Sequence, residues 1–159
     1  MPEHKSLDLS SKLTLTDLSP SDIQDKRVII RVDFNVPISN DRIQDNTRLT
    51  ESIPTILHIL KLKPKYIVLL SHRGRPDGQI NKKYTLQPII NEFNELLQQN
   101  SCQETVQFVD GVIEDYVKQT LDKGECKLYL LENVRFYIEE GMLYSGGDVS
   151  YAVYLSVAS

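Results

Sequence analysis

The sequence predicts an α/β fold in which a parallel sheet carries helices on both faces, giving three α/β/α layers. Short continuous apolar runs, rich in β-branched residues, recur along the chain, and such runs are typical of fully buried strands. The intervals between the runs are long enough for crossover helices, and they show apolar residues at helical spacing. Right-handed crossovers would bring the carboxyl ends of all strands to one edge of a Rossmann-like sheet.

The predicted strands are apolar runs that each end in a polar loop. They cover residues 26–32, 66–70, 105–109 and 127–131. Upstream, residues 12–18 should form a short strand or an irregular arm that packs onto the domain. Downstream, the apolar residues of 149–157 could form one more strand, although no helix separates them from the strand before.

Helices are predicted between these strands. The first should begin at Thr47, after a run of N-cap residues, and should kink or restart at Pro54, because proline has no N–H to donate. Thr85 is the predicted N-cap of the second helix, whose apolar stripe reaches residue 97. The third helix should cover residues 111–121.

The composition indicates an ordinary soluble domain. The 159 residues suffice for one core, and a net charge of −4 argues against a nucleic-acid partner, though not against a local basic pocket. Cys102 and Cys126 belong to no metal-binding motif and are expected to be reduced structural thiols. No signal peptide is recognisable, and the apolar runs are shorter than a membrane span of about 20 residues. A cytoplasmic protein without a membrane partner is therefore expected.

Polar loops at three of the strand ends carry the candidate site. They cover, in order, Arg31–Pro37, Ser71–Pro76 and Glu132–Phe136. Because the carboxyl edge of a parallel sheet is where such folds bind ligands, we expect these loops to form one site. Their Arg, His, Asn and Asp side chains suit a small polyanion that also carries hydroxyl groups.

Each part of this site has a simpler alternative. Asp33 and Asn35 could hold a ligand hydroxyl from two directions, or they could form an Asx turn that caps the strand. His72, Arg73 and Arg75 surround Gly74, whose small size would let backbone N–H groups approach a phosphate. The same residues could instead be a solvated basic turn.

Two further arginines are candidates on weaker grounds. Arg135 could belong to the site or could simply pair with Glu132, Glu139 or Glu140. Arg48 lies near the start of the first helix, where a positive charge opposes the helix dipole, and a residue set against its local preference points mildly to function. The sequence has no GxxxxGK[ST] or GxGxxG motif, and no metal-ligand cluster or catalytic triad stands out.

The combination of these segments resembles the N-terminal domain of phosphoglycerate kinase. The resemblance is carried by the segments 27–37, 46–48, 71–76 and 130–136, in that order, and runs from about Leu7 to Gly141. It implies that residues 1–141 are the glycerate-binding domain of a two-domain kinase, in incomplete form. Residues 142–159 do not resemble the family and are set apart as a divergent tail.

The resemblance also implies a reaction and a set of roles. The family transfers phosphate reversibly between 1,3-bisphosphoglycerate with ADP and 3-phosphoglycerate with ATP, in glycolysis, as a monomer, with Mg²⁺ accompanying the nucleotide. The glycerate site would be lined by Asp33, Phe34 and Asn35. The wall toward the 3-phosphate would consist of His72, Arg73, Gly74, Arg75 and Arg135. Arg48 would be the catalytic arginine that stabilises the transferring phosphoryl group, helped by the helix dipole.

Departures from the family pattern leave two hypotheses open. Arg73 stands where the family usually has an apolar residue, and the later His-Arg-Ala-His motif is not present. Residues for the nucleotide and for Mg²⁺ are not expected in this chain. The first hypothesis is a phosphoglycerate kinase by descent that is inactive as this chain alone and only marginally folded. The alternative is a non-catalytic module that binds phosphoglycerate or another small anion.

Overall fold

The computed structural model describes residues 14–40 and 42–138, together with the backbone of residues 156–158. The strands are β1 (Arg27–Arg31), β2 (Ile38–Ser39), β3 (Arg42–Ile43), β4 (Tyr66–Leu70), β5 (Val106–Val109), β6 (Leu128–Leu131) and β7 (Ser156–Ala158). The α-helices are α1 (Pro20–Ile23), α2 (Thr47–Lys61), α3 (Ile89–Gln99) and α4 (Asp115–Lys123). Short 3-10 helices occur at Leu15–Asp17, Lys82–Tyr84 and Val134–Phe136.

The main sheet has the order β5-β6-β4-β1-β7. All pairings among β5, β6, β4 and β1 are parallel, which confirms the predicted sheet. β7 pairs antiparallel with β1 at the other side of that strand. The carboxyl ends of four strands therefore share one edge, and the loops that follow β1, β4 and β6 leave from it.

Apolar clusters on the two faces of the sheet give the predicted three layers. Side chains of β1, β4 and β6 pack with α2 and α3 on one face, whereas α4 covers the other face through Val117 and Leu121. The connections β1–β4 and β4–β5 run in one direction across the sheet, and β5–β6 runs back. Right-handed crossovers require the helix to change face when the direction reverses, as α4 does.

The first long helix differs from its prediction at Pro54. Helix α2 runs without interruption from Thr47 to Lys61 and contains Pro54, so the expected restart is wrong. Pro54 and Thr50, whose carbonyl loses its helical donor, both lie on the exposed side of the helix. The carbonyl can therefore bond to water, which lowers the cost of the missing hydrogen bond.

The other helix starts are later than predicted. α3 begins at Ile89 with Pro88 as its N-cap, since the chain first forms the 3-10 helix 82–84. α4 begins at Asp115 because the Glu114 carboxylate accepts the N–H groups of Val112 and Ile113 and folds residues 111–114 into a turn. The Thr85 N-cap and the helix start at 111 are wrong.

The structure contains small elements outside the main sheet that differ from the sequence prediction or that the sequence did not predict. The segment predicted as a strand or arm holds the 3-10 helix 15–17 and, after it, α1, both opened by capping boxes that use Asp17 and Asp22. The hairpin β2–β3 follows the first candidate loop. Of the predicted strand 149–157, residues 149–155 lie outside the described residues. None of the described helices combines the length and apolarity required to cross a bilayer.

Candidate anion-binding site

The three candidate loops meet at the carboxyl edge of the sheet and are hydrogen-bonded to one another. The Phe34 N–H donates to Ser71 Oγ at 2.8 Å, which joins the loop after β1 to the loop after β4. The Gly74 N–H donates to Asn35 Oδ1 at 3.0 Å and joins the same loops a second time. The Val134 N–H donates to the Ser71 carbonyl at 3.1 Å and ties in the loop after β6. Parallel pairing of the three strands thus assembles the site.

Asp33 uses its two carboxylate oxygens for different purposes. Oδ1 accepts the Asn35 N–H at 3.0 Å, which is the Asx turn foreseen as the simpler alternative. Oδ2 forms an ion pair with Nη1 of Arg48. The local turn and the candidate site therefore coexist, because the turn leaves the second oxygen directed at the arginine.

Phe34 is a core residue. Its side chain is fully buried, and its ring centroid lies 4.9 Å from that of Phe93 at an angle of 59°. A ligand on the loop surface would not touch this ring. The anchoring of Phe34 in the core instead directs its two sequence neighbours, Asp33 and Asn35, to the face opposite the ring, since successive side chains of an extended segment alternate in direction.

Arg48 extends from the first turn of α2, where no acidic side chain is present. Asp33, which comes from a different loop, supplies the missing negative charge. The Arg48 and Asp33 side chains are 45% and 30% exposed, so solvent screens the pair, and such pairs contribute only about 0–1 kcal/mol. A ligand anion can therefore compete with Asp33 for this guanidinium at little cost.

The two arginines of the second loop, Arg73 and Arg75, differ in what they contact. Nη1 of Arg73 donates to the carbonyls of Lys83 at 2.7 Å and Thr85 at 3.1 Å, so this guanidinium clasps the far end of its own loop. Burial lowers the pKa of Arg73. Arg75 is exposed and makes no hydrogen bond within the described ranges, while His72 is half-buried. Arg75 is thus better placed than Arg73 to meet an anion from solvent.

Gly74 is required for reasons other than the one expected from sequence. Its N–H does not face outward toward an anion, since it is bonded to Asn35. Its φ is +62°, a conformation that residues with a Cβ rarely adopt, and an added Cβ would overlap the ring of Tyr84. The glycine therefore serves the turn and the close approach of Tyr84.

Arg135 joins the third loop to the second. Its Nη1 donates to the Gly74 carbonyl at 3.0 Å, which leaves the rest of this half-buried guanidinium beside the turn. The suggested pairing with Glu132 is wrong, because the Glu132 carboxylate accepts from Thr85 Oγ1, the Leu86 N–H and the Asn133 N–H. The other suggested partners, residues 139 and 140, lie outside the described residues.

Buried polar side chains hold these loops together, a role that the sequence did not reveal. Among the described residues they are Ser71, Glu132 and Asn133, at 0%, 6% and 0% exposure. Each accepts or donates hydrogen bonds to a neighbouring loop, as buried polar groups must. Their position at the ends of the apolar runs of β4 and β6 could have indicated buried polar groups. A polar residue next to a buried strand has little access to water and must bond to protein groups instead.

The chemistry available at this edge is anion binding. Arg48 pairs with Asp33, Arg135 bonds to Gly74, and Arg75 is exposed directly after Gly74, so a phosphate or carboxylate and a hydroxyl could be held together. Within residues 14–40 and 42–138, no three His, Cys, Asp or Glu side chains are grouped to share a metal ion. Both cysteines are free and half-buried.

Comparison with known proteins gives one consistent family. The family model described as phosphoglycerate kinase matches residues 15–154. The phosphoglycerate kinase of Kluyveromyces lactis is 44% identical over 135 residues, which are 84% of this chain and 30% of that protein. The enzyme of Saccharomyces cerevisiae is 42% identical over the same shares of the two chains.

Solved structures agree with the sequence matches. Phosphoglycerate kinase from Pyrococcus horikoshii superposes with a TM-score of 0.65 at 27% identity, covering 81% of this chain and 29% of that chain. The enzyme from Coxiella burnetii gives a TM-score of 0.58 at 28% identity, covering 79% of this chain and 28% of that chain. The chain thus spans about 30% of the length of the curated relatives it matches. On the sequence and structural matches together, the chain belongs to the phosphoglycerate kinase family.

Proposed function

We propose that this chain binds 3-phosphoglycerate as the glycerate-binding part of a phosphoglycerate kinase. The observation that carries the proposal is the interlocked set at the carboxyl edge. Arg48 pairs with Asp33, Asn35 bonds to Gly74, and Gly74 bonds to Arg135. Two cations, one from α2 and one from the loop after β6, are thereby linked to one carboxylate and one amide, a set that suits the charges and the hydroxyl group of the ligand.

Each side chain has a distinct part in this proposal. The guanidinium groups of Arg75 and Arg135 receive the 3-phosphate, with His72 beside them. Asp33 and Asn35 hold the hydroxyl and the carboxyl end of the glycerate. Arg48 exchanges its screened pairing with Asp33 for the phosphoryl group in transfer, where a fixed cation stabilises the developing charge.

The complete reaction is proposed for the family protein rather than for this chain alone. Transfer between 1,3-bisphosphoglycerate and ADP, with Mg²⁺, needs both substrates aligned in a closed cleft. The groups described here address only the glycerate, in a cytoplasmic glycolytic enzyme. We expect a coupled assay with ATP, Mg²⁺ and 3-phosphoglycerate to give no turnover for the chain by itself. Turnover well above background would refute this expectation.

Calorimetric titration of the chain with 3-phosphoglycerate tests the binding itself. We expect saturable heat that glycerate and inorganic phosphate do not reproduce, because the site contacts both ends of the ligand. Arg135→Ala should weaken binding by about tenfold or more, as expected for the loss of one charged hydrogen-bonding group.

A matched control is Arg27→Ala. Arg27 is also a partly exposed arginine, and it pairs with Asp122. It lies at the start of β1, at the edge of the sheet opposite the candidate site. The affinity of the Arg27→Ala variant for 3-phosphoglycerate should equal that of the unmodified chain. Absence of heat at millimolar 3-phosphoglycerate would overturn the proposal and favour a domain without ligand. Binding without turnover would support the non-catalytic module as the activity of the isolated chain.

A further inference from the structure

Asn133 occupies a central position beneath the candidate site. Its side chain is fully buried at the end of β6 and spends all of its described hydrogen bonds on backbone groups of the site loops. Nδ2 donates to the carbonyls of Arg73 at 2.7 Å and Tyr84 at 2.9 Å. Oδ1 accepts the Arg135 N–H at 3.1 Å.

The hydrogen bonds of Asn133 reach both partners of the contact between Arg135 and Gly74. Arg135 reaches the Gly74 carbonyl through Nη1, and Gly74 directly follows Arg73. Asn133 therefore holds the backbone of Arg135 through one atom and the peptide that leads into Gly74 through the other. Beside the backbone bond from the Val134 N–H to the Ser71 carbonyl, this amide side chain therefore connects the two loops at the point where Arg135 meets Gly74.

The neighbouring Glu132 fixes the orientation of Asn133. One carboxylate oxygen of Glu132 accepts the Asn133 N–H at 2.7 Å and the Leu86 N–H at 2.9 Å. The other accepts the Thr85 hydroxyl at 2.5 Å. The amide thus has a fixed backbone and fixed partners, and such a supporting shell holds site residues within the tolerance that ligand binding needs.

We propose that Asn133 is a positioning residue for 3-phosphoglycerate, setting the distance between the Arg73–Arg75 turn and Arg135 without touching the ligand. The inference rests on the proposed function. It assigns to a buried amide, rather than to the arginines, the control of how closely the cations of the two loops can converge on one phosphate.

The variant Asn133→Asp tests this with almost no change of volume. It keeps an acceptor for the Arg135 N–H, removes both donations, and places a carboxylate oxygen against two carbonyls. We expect 3-phosphoglycerate to bind about tenfold more weakly or worse in calorimetry. The amide resonances of Gly74 and Arg135 should shift in the ligand-free protein. Should this variant fail to fold, Asn133→Ser removes the same donations without adding charge.

The control is Asn94→Asp, because Asn94 also bridges two elements, at the start of β5: its Oδ1 accepts the Val106 N–H at 2.8 Å, and its Nδ2 donates to the Val106 carbonyl at 3.5 Å, a donation that aspartate cannot make. It should lower stability and leave the affinity unchanged. Equal affinity of a folded Asn133 variant and the unmodified chain overturns the positioning role alone. No binding by the unmodified chain overturns the proposed function and this inference with it.

Discussion

Replacing Gly74 by alanine probes the most tightly built point of the site. Gly74 has φ +62°, and a Cβ added there would overlap two atoms of the Tyr84 ring. Its N–H and carbonyl are both used, by Asn35 and Arg135. Relief by moving the backbone would therefore strain the bonds that connect all three loops.

The expected cost follows from two separate contributions. A left-handed conformation costs a residue with a Cβ about 1–2 kcal/mol. Overpacking against the Tyr84 ring costs about 1–3 kcal/mol more. Together they predict that Gly74→Ala lowers the free energy of unfolding by about 2–5 kcal/mol.

Gly124→Ala separates these contributions. Gly124 has a similar φ of +66°, but the nearest atom to an added Cβ is the Asp122 carbonyl oxygen at 4.0 Å. Only the conformational cost, about 1–2 kcal/mol, is expected there. Urea unfolding followed by circular dichroism measures both variants. Tyr84→Ala in the Gly74→Ala background should recover part of the loss, since the two positions are in contact. Equal costs at Gly74 and Gly124, with no coupling to Tyr84, would refute the argument.

Three other substitutions are predicted from the same contacts. Phe34→Ala should lower the free energy of unfolding by about 3–5 kcal/mol in urea unfolding, because a fully buried ring is lost; under 1 kcal/mol would contradict its place in the core. Burial raises the pKa of Glu114, but hydrogen bonds from Tyr137 and backbone N–H groups outweigh burial and hold the pKa below its ordinary value. A carboxyl group with a depressed pKa in the folded state stabilises the fold above its unfolded-state pKa, and this stability is lost as the pH falls through the folded-state pKa. Glu114→Gln should therefore flatten the decline in the free energy of unfolding below about pH 4.5. An unchanged pH profile of stability would contradict this. Arg73→Met should destabilise the fold by about 1–3 kcal/mol, because the Arg73 guanidinium bonds to the carbonyls of its own loop. The calorimetric affinity for 3-phosphoglycerate should change less than about twofold. A tenfold loss of affinity would instead identify Arg73 as a phosphate ligand.

The positions and the parallel direction of the main strands were predictable because buried parallel strands leave a strong pattern. The runs ending at Leu70 and Leu131 are continuously apolar and flanked by polar residues, so their type and approximate limits follow from the sequence. Helix starts were less predictable. The start of α4 depends on one carboxylate, Glu114, whose hydrogen bonds to the preceding N–H groups no periodicity reveals.

That the three loops meet was predictable from the parallel strands, but the contacts of the individual side chains were not. Sequence placed Arg73, Gly74 and Arg75 in one basic loop, yet it could not show that Arg73 bonds to Lys83 and Thr85 while Arg75 faces solvent. That division depends on where residues 82–85 return to the loop, ten residues along the chain. Long-range loop contacts of this kind are fixed by the fold and not by local propensity.

Backbone amide chemical shifts recorded during titration with 3-phosphoglycerate test the central claim most directly. Binding at the carboxyl edge should shift the amides of Asp33–Asn35, Gly74–Arg75 and Arg135 in a saturable manner. The amides at the opposite edge, such as Arg27 and Val106, should stay unchanged. Saturable shifts confined to that opposite edge, or no shifts at millimolar ligand, would contradict the assignment of the three loops as the glycerate site.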